Sequence, residues 1–434
     1  MQVGLLGLGT VGGGTLTVLR RNQEEIARRA GRAIVVSHAA VRNLDRARAF
    51  AGEGIELTTD PEFVVNHPDI DIVCELIGGI SPARELVMQA IANGKHVVTA
   101  NKALIAKHGN EIFAAAQKRG VMVAFEAAVA GGIPIIKALR EGLSANRIQW
   151  LAGIINGTTN FILSEMRDKG LAFADVLAEA QRLGYAEADP TFDIEGIDAA
   201  HKAAIMSAIA FGVPMQFDAA HIEGISKLEA IDIRYAEELG YRIKLLGISK
   251  RRENGVELRV HPTLVPAKRL IANVEGAMNA VLVWGDAVGA TLYYGKGAGA
   301  EPTASAVIAD LVDVTRLATA DPHHRVPHLA FQPDQLTDLK VLPMDEVETA
   351  YYLRMSAQDK PGVLADITRI LADLEISIDA MMQKEPDEGE ARADIVILTH
   401  VAREKAVNAA IAQIEALPAI TGRVTRLRME ELNG

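Results

Sequence analysis

Over the first 130 residues, short apolar runs alternate with longer stretches of helical character. Residues 2–7 (QVGLLG) form an apolar run that ends in glycine, and helix-compatible sequence follows to about Arg29. Residues 34–41 and 70–78 read as further strands. Residues 82–94 read as a helix closed by Gly94, because glycine enters a left-handed C-cap most easily. A strand over 96–102, a helix over 111–120 with a glycine stop and a strand over 121–129 complete the series. Apolar strands separated by helices predict a parallel sheet covered on both faces.

The pattern changes after Pro134. Helical stretches at 173–184 and 198–212 precede strand candidates over 241–265, where Asn254-Gly255 makes a good hairpin turn. This order predicts an α+β domain. A helix over 303–318 is expected to pack back on the first domain. Residues 321–349 carry Pro322, Pro327, Pro333 and Pro343 and read as a linker. The remainder spells βαββαβ: strands at 351–357, 376–384, 393–401 and 422–429, helices at 361–374 and 403–417. That order is the ferredoxin-like arrangement. The expected organisation is therefore an α/β domain over 1–133 completed by about 300–320, an α+β domain over 134–299, a linker over 321–349 and a ferredoxin-like module over 350–434.

Composition narrows the function. The 434 residues exceed what one core usually serves, in keeping with several domains. A net charge of −11 argues against a broad nucleic-acid footprint, which needs clustered lysine and arginine. The single cysteine, Cys74, excludes an intrachain disulfide framework and a multi-cysteine zinc site, and its apolar setting reads as a small buried hydrophobe. No run approaches the roughly 20 apolar residues that span a bilayer, and the N-terminal apolar run lacks a basic leader, so a soluble cytoplasmic protein is expected.

Gly7-Leu8-Gly9-Thr10-Val11-Gly12 is G-x-G-x-x-G between the first strand and the first helix. Gly7 permits the tight turn, Gly9 lets backbone approach a pyrophosphate, and Gly12 lets helix and strand pack closely; the phosphates then meet unpaired N–H groups at the helix start. The context fits a dinucleotide fingerprint. Beyond the second strand, where an acidic residue would grip a ribose 2′-hydroxyl, the chain offers Arg42 and Asn43, with Arg46 and Arg48 behind. Arg42 suits a 2′-phosphate, which predicts a preference for NADP(H) and leaves NAD(H) open. Gly78, Gly79 and Lys102 end later strands, at the edge where such folds bind ligands.

The densest constellation holds Glu187, Asp189, Asp193, Glu195 and Asp198, then Lys202. Asp198 and Lys202 share one face of a helix. As a surface pair they would contribute only a few tenths of a kcal/mol. The rest of that helix is almost wholly apolar or small, and a buried ion pair needs a reason. A lysine depressed by burial can exchange a proton with an alcohol or carbonyl near neutral pH.

The stretch from Ala180 to Lys202 resembles the homoserine dehydrogenase signature, A-x3-G-Y-x-E-x-D-P-x2-D-x-x-G-x-D-x3-K. ELIGG, TANK, EAAVAGGIP, NGTTNFI and GKGAG are similar to that family's segments, in order, so the resemblance covers essentially the whole chain. The C-terminal module, opening at Asp359-Lys360-Pro361-Gly362, is similar to an ACT domain.

The resemblance implies oxidation of L-homoserine to L-aspartate 4-semialdehyde, run in the reducing direction towards threonine, methionine and isoleucine. It assigns Glu187 and Asp198 to the substrate ammonium, Lys202 to proton donation, Lys102 to assistance near the nicotinamide, and Asp193 to support of Lys202. Asn156, Gly157 and Thr158 join the substrate site, and Gly297 closes over the cofactor. It also implies a monovalent cation, sodium or potassium, carried by Glu126, Val129, Gly131 and Ile133, since a hard cation prefers oxygen ligands. An ACT module implies an amino-acid effector, with threonine expected near Asp359 and Gly362, and a homodimer or homotetramer. His323, His324 and His328 read as linker histidines. The competing readings are an amino-acid sensor without catalysis and a dehydrogenase of another amino or hydroxy acid.

Overall fold

The computed structural model describes residues 1–384 and 392–433. Its first sheet contains β1 (Gln2–Leu6), β2 (Val35–Ala40), β3 (Glu56–Thr58), β4 (Ile72–Glu75), β5 (His96–Thr99) and β6 (Val123–Ala124). The order is β3-β2-β1-β4-β5-β6 and every pairing is parallel. This doubly wound arrangement leaves a crevice at the carboxyl ends of β1 and β4, where the strand order reverses. Cys74 is fully buried in β4.

The strand placed at 96–102 ends at Thr99, and two further elements differ from the sequence expectation. The helix placed at 111–120 begins at Lys102 and runs to Arg119, because the Asn101 side chain caps it by accepting from Leu104 N at 3.1 Å. The strand placed at 121–129 is only Val123–Ala124. Beyond it the chain turns, as Asp310 accepts from Glu126 N at 2.8 Å and Val129 N bonds back to Glu126 O. The Ala300–Leu317 helix packs on the Thr10–Arg21 helix in one apolar cluster. The contact is close enough that a Cβ on Gly14 would lie 2.5 Å from Ala300 O.

The second sheet joins two domains. β7 (Ile148–Ile154), β8 (His221–Ile222), β9 (Tyr241–Arg251), β10 (Val256–Pro266), β11 (Met278–Gly285) and β12 (Gly289–Lys296) belong to the α+β part. β13 (Glu348–Gln358), β14 (Ile378–Gln383), β15 (Arg392–Thr399), β16 (Ala402–Arg403) and β17 (Ile420–Met429) belong to the C-terminal module. The path runs β12-β11-β7-β9-β10-β17-β13-β15-β14. β10 and β17 are the seam, paired in parallel at Thr263–Arg428 and Leu264–Met429.

In the C-terminal module the Val363–Asp373 and Glu404–Glu415 helices cover one sheet face. The other face meets the Ala230–Glu238 helix, whose Asp232 accepts from Tyr352 Oη at 2.9 Å and Arg354 Nε at 2.6 Å. Residues 321–349 connect the parts without floating free. Leu329 and Val347 are buried, and His328 stacks on Phe113 and accepts from Val123 N at 3.2 Å. His323 and His324 are exposed. No helix among the described residues is long and apolar enough to cross a membrane.

Candidate active site

The Ile197–Phe211 helix starts at Gly196, whose φ of 82° turns the chain into it, and every residue from Asp198 to Phe211 is buried. Lys202 Nζ donates to Asp198 Oδ2 at 2.7 Å and to Ile155 O at 2.7 Å. The other Asp198 oxygen meets Lys102 Nζ at 2.9 Å, so one carboxylate bridges two ammonium groups. Asn156 adds the fourth member. It caps the Gly157–Lys169 helix through Oδ1, which accepts from Thr159 N, while Nδ2 donates to Asp198 at 2.8 Å and Asp193 at 2.7 Å.

This geometry sorts the protonation states. Burial pushes the Lys202 ammonium below its ordinary range; Asp198 opposes the shift and Lys102 adds to it. Burial also acts against Lys102, but Asp198 outweighs it and holds that ammonium above its usual value. Asp198 is held well below the carboxylate range by the two lysines despite its burial. Burial and the neighbouring Asp198 charge raise Asp193. A persistent anion thus sits between a lysine inclined to release its proton and one inclined to keep it.

Lys102 opens its helix directly beyond the carboxyl end of β5, which puts the cluster beside the nucleotide crevice. That crevice encloses about 650 Å³ and is lined by Gly7, Leu8, Gly9, Thr10, Arg42, Asn43, Arg46, Ile77 and Gly78, among others. A Cβ on Gly12 would lie 2.2 Å from Gly7 O, whereas one on Gly9 would meet nothing within 4 Å. The first is closed by packing and the second open to a ligand. No side chain caps the Thr10–Arg21 helix, so its first N–H groups are available to phosphate oxygens. The lining contains no carboxylate. Arg48 is turned away and pairs with Asp45 at 3.3 Å.

Other expected residues lie around or beyond these two centres, with Thr158 hydrogen-bonded to Asp193 and the Glu187 charge helping to hold the Lys102 ammonium up. Glu187 is exposed on the rim, and its carbonyl accepts from Gln181. Thr158 Oγ1 donates to Tyr185 O at 2.8 Å. A Cβ on Gly157 would approach Ala277 O to 2.8 Å. Val11 and Gly79 flank the nucleotide crevice without lining it, and Gly297 packs on Asn279 and Gly131 instead of facing it. The Glu126 carboxylate accepts from Ile136 N and Lys137 N at 2.9 and 2.8 Å, so its side chain caps a helix. Around it, Ala130 and Gly131 take φ of 54° and 42°, and the carbonyls of Glu126 and Ile133 accept from Val129 N and Ile135 N. Asp359 and Gly362 are exposed, and Gly362 (φ 95°) begins the Val363–Asp373 helix. No group of three or more His, Cys, Asp or Glu among the described residues could hold a metal ion.

Sequence reasoning passed over several supporting residues. Glu75, fully buried, accepts from Ile77 N at 3.0 Å, Gly78 N at 2.9 Å and Thr99 Oγ1 at 2.7 Å, which shapes the loop lining the crevice. Asn101 donates to Gly79 O at 2.6 Å. A lone carboxylate inside an apolar strand was the signal for Glu75, since such a group must be fully bonded. Phe192 lies 5.9 Å from Lys102 Nζ and also faces His201, which is stacked on Phe217 with a centroid separation of 4.2 Å. His201 has no signal beyond its place in an apolar helix.

Comparison with known proteins gives a consistent picture. Three family models match: "Homoserine dehydrogenase, NAD binding domain" over residues 7–126, "Homoserine dehydrogenase" over 134–312 and "ACT domain" over 351–419. The homoserine dehydrogenase of Pseudomonas aeruginosa is 63% identical over 433 residues, covering 100% of this chain and 99% of that protein. That of Helicobacter pylori is 42% identical over 99% of each. Among solved structures, a homoserine dehydrogenase from Thiobacillus denitrificans is 77% identical with a TM-score of 0.96, covering 100% of this chain and 99% of that one. A hyperthermophilic archaeal homoserine dehydrogenase mutant in complex with NADPH is 25% identical with a TM-score of 0.62, over 74% of this chain and 98% of that one.

Proposed function

This chain belongs to the homoserine dehydrogenase family, as an oxidoreductase that interconverts L-homoserine and L-aspartate 4-semialdehyde with a nicotinamide dinucleotide, and from that premise we propose how its residues divide the work. The observation that carries the reading is the Asp198 carboxylate bridging Lys102 and Lys202 at 2.9 and 2.7 Å. When bound, the nicotinamide supplies the hydride exchanged with the carbonyl carbon. Lys202 Nζ gives its proton to the aldehyde oxygen during reduction and recovers it from the alcohol in the reverse direction. Of its three N–H donors, two serve Asp198 and Ile155 O, which leaves one for the substrate. Its lowered proton affinity makes it the better acid of the two lysines.

Lys102 keeps its charge and stabilises the developing oxyanion. Asp198 stays ionised and fixes both lysines. With both Asp198 oxygens engaged by the lysines, the ammonium role expected of Asp198 passes to Asp193, which Asn156 bridges to it; Asp193 and Glu187 on the rim bind the substrate ammonium, with Gly157 and Thr158 shaping the floor. Replacing Lys202 and assaying NADPH-dependent aldehyde reduction tests these roles.

Arg42 and Arg46, in a crevice whose lining holds no carboxylate, support a preference for NADP(H), because a 2′-phosphate gains charge-assisted bonds there. The NADPH named for the archaeal homologue agrees with it. A sodium or potassium ion would take its ligands from backbone carbonyls of the turn around Glu126, Val129, Gly131 and Ile133, since the Glu126 side chain caps a helix; Glu126 O and Ile133 O would share themselves between the ion and a backbone N–H. The ion would stiffen the hinge between the first two domains.

We assign the C-terminal module to feedback by threonine in the synthesis of threonine, methionine and isoleucine, with Gly362 and Asp359 at the effector site. The exposed turn that these residues form, with Gly362 in a left-handed conformation at the start of the Val363–Asp373 helix, supports it. Assembly as at least a homodimer is supported by the half-open sheet face where Trp150 stacks on Trp284 beside Leu282 and Leu292. A cytoplasmic location follows from the same biosynthetic role.

A further inference from the structure

The seam between the catalytic part and the C-terminal module is built from buried charges. Arg428, in β17, is 1% exposed and carries its guanidinium between two carboxylates. On its own module it donates to Glu404 at 2.6 and 3.0 Å. Across the seam it donates to Glu223 Oε2 at 2.9 Å and Oε1 at 3.0 Å. Arg426 adds a third bond to this carboxylate, to Glu223 Oε1 at 2.9 Å, and His221 lies 2.8 Å from the same oxygen. These contacts hold the Glu223 carboxylate far below its ordinary range despite its burial.

Glu223 does not touch the substrate cluster, but its chain neighbours lie directly on the loop that carries it. Glu223 N donates to Val260 O in β10 at 2.8 Å, which fixes the strap that begins at β8. Ile225 N donates to Ile194 O at 2.8 Å. Between them, a Cβ on Gly224 would stand 2.3 Å from Ile194 O and 2.5 Å from Glu195 Cα, so the two backbones are in contact. On one side of that contact is Asp193, bonded to Asn156; on the other is Gly196, which starts the helix bearing Asp198 and Lys202. A shift of the strap must move this loop, because packed backbones cannot pass through each other.

We infer that Glu223 is a positioning residue of the catalytic site, through which the last strand of the C-terminal module sets the loop between Asp193 and Asp198. The arginines hold Glu223, the strap holds the loop, and the loop aims the carboxylates that receive the amino-acid substrate. The nucleotide crevice lies on the other domain and is reached by none of these contacts. The inference rests on the assignment of the Asp198–Lys202 cluster to the substrate. It makes the C-terminal module a part of the active-site support whether or not an effector is bound.

The test uses the full-length enzyme with Glu223→Gln, which keeps the side chain's shape and removes its charge. Steady-state constants are measured for L-aspartate 4-semialdehyde and for NADPH, with the thermal midpoint recorded. The expected result is a KM for the aldehyde raised about tenfold, with the KM for NADPH within about twofold of wild type. A merely structural role would move both constants together. If this variant does not fold, Arg426→Gln, at a partly exposed position, must show the same split. Unchanged constants for both substrates, or equal rises in both, would overturn the inference. Asp198→Asn serves as the control. If it also leaves aldehyde turnover intact, the site assignment fails; if it abolishes turnover while the Glu223 and Arg426 variants behave as wild type, only the role of Glu223 fails.

Discussion

Asp198 and Lys202 face each other at 2.7 Å, one turn apart near the start of a buried helix, and Lys102 approaches the same carboxylate from a different domain at 2.9 Å. The carboxylate is therefore the joint between the nucleotide-binding half and the substrate half. Its charge decides how both lysines titrate.

Replacing Asp198 by Asn removes that charge with little change of shape. Reduction of the aldehyde is expected to slow by about a hundredfold or more, the scale of a lost proton-transfer arrangement. Aldehyde reduction needs Lys202 protonated, so it falls as pH rises through the proton affinity of that lysine. Asp198 is what raises this affinity against burial and Lys102. Without it, the alkaline limb of the pH–rate profile shifts to lower pH. A limb that stays or moves upward would contradict the electrostatic role.

Arg42→Asp places a carboxylate where the crevice has none. The KM for NADPH should rise about tenfold to a hundredfold, matching the loss of a charge-assisted bond, while the KM for NADH stays level or falls. Parallel titration of the two cofactors checks this.

His201 is 1% exposed, lies against two aromatic rings, and has no protein partner for either ring nitrogen among the described residues. Burial pulls its pKa down to about 4. The unfolded chain takes up this proton below its ordinary pKa of about 6.5, whereas the folded chain resists until about 4. Stability is therefore full above the unfolded value and declines as pH falls through this window, by up to about 3 kcal/mol for this one residue. His201→Phe should remove that part of the decline. The gap in Tm between variant and wild type should widen in the variant's favour from pH 7 to pH 5.

Glu430 lies beyond the last strand and binds Arg259, itself 1% exposed, and Lys250 at 2.6 Å. Glu430→Ala leaves the buried Arg259 guanidinium with one of its two carboxylates, Glu257, beside the His261 contact at 2.8 Å. A loss of about 3 to 5 kcal/mol in unfolding free energy is expected. Chemical denaturation followed by far-UV circular dichroism measures it.

Much of the fold was legible because its signals are local. The glycine fingerprint, the strand–helix alternation and the βαββαβ order each show within a few tens of residues, and the Asp198–Lys202 spacing puts both on one helical face. What could not be read depends on meetings between distant segments. Parallel pairing of β10 with β17 has only two residue pairs in its register, and neither strand's pattern distinguishes this neighbour from another. Lys102 reads as the end of a strand because the β-forming run Val97-Val98-Thr99 leads up to it with no obvious break, and its reach to Asp198 spans 96 positions. Asn156 was placed in the site by resemblance alone. Its double role, capping one helix while joining Asp193 to Asp198, follows from the fold bringing three loops together.

The most direct measurement is turnover of L-aspartate 4-semialdehyde by full-length Lys202→Met, with NADPH binding followed in the same preparation. The account predicts a kcat at least about a hundredfold below wild type and an unchanged affinity for NADPH. A variant that binds NADPH normally and turns over within about threefold of wild type would contradict it, because the proton would then come from another group.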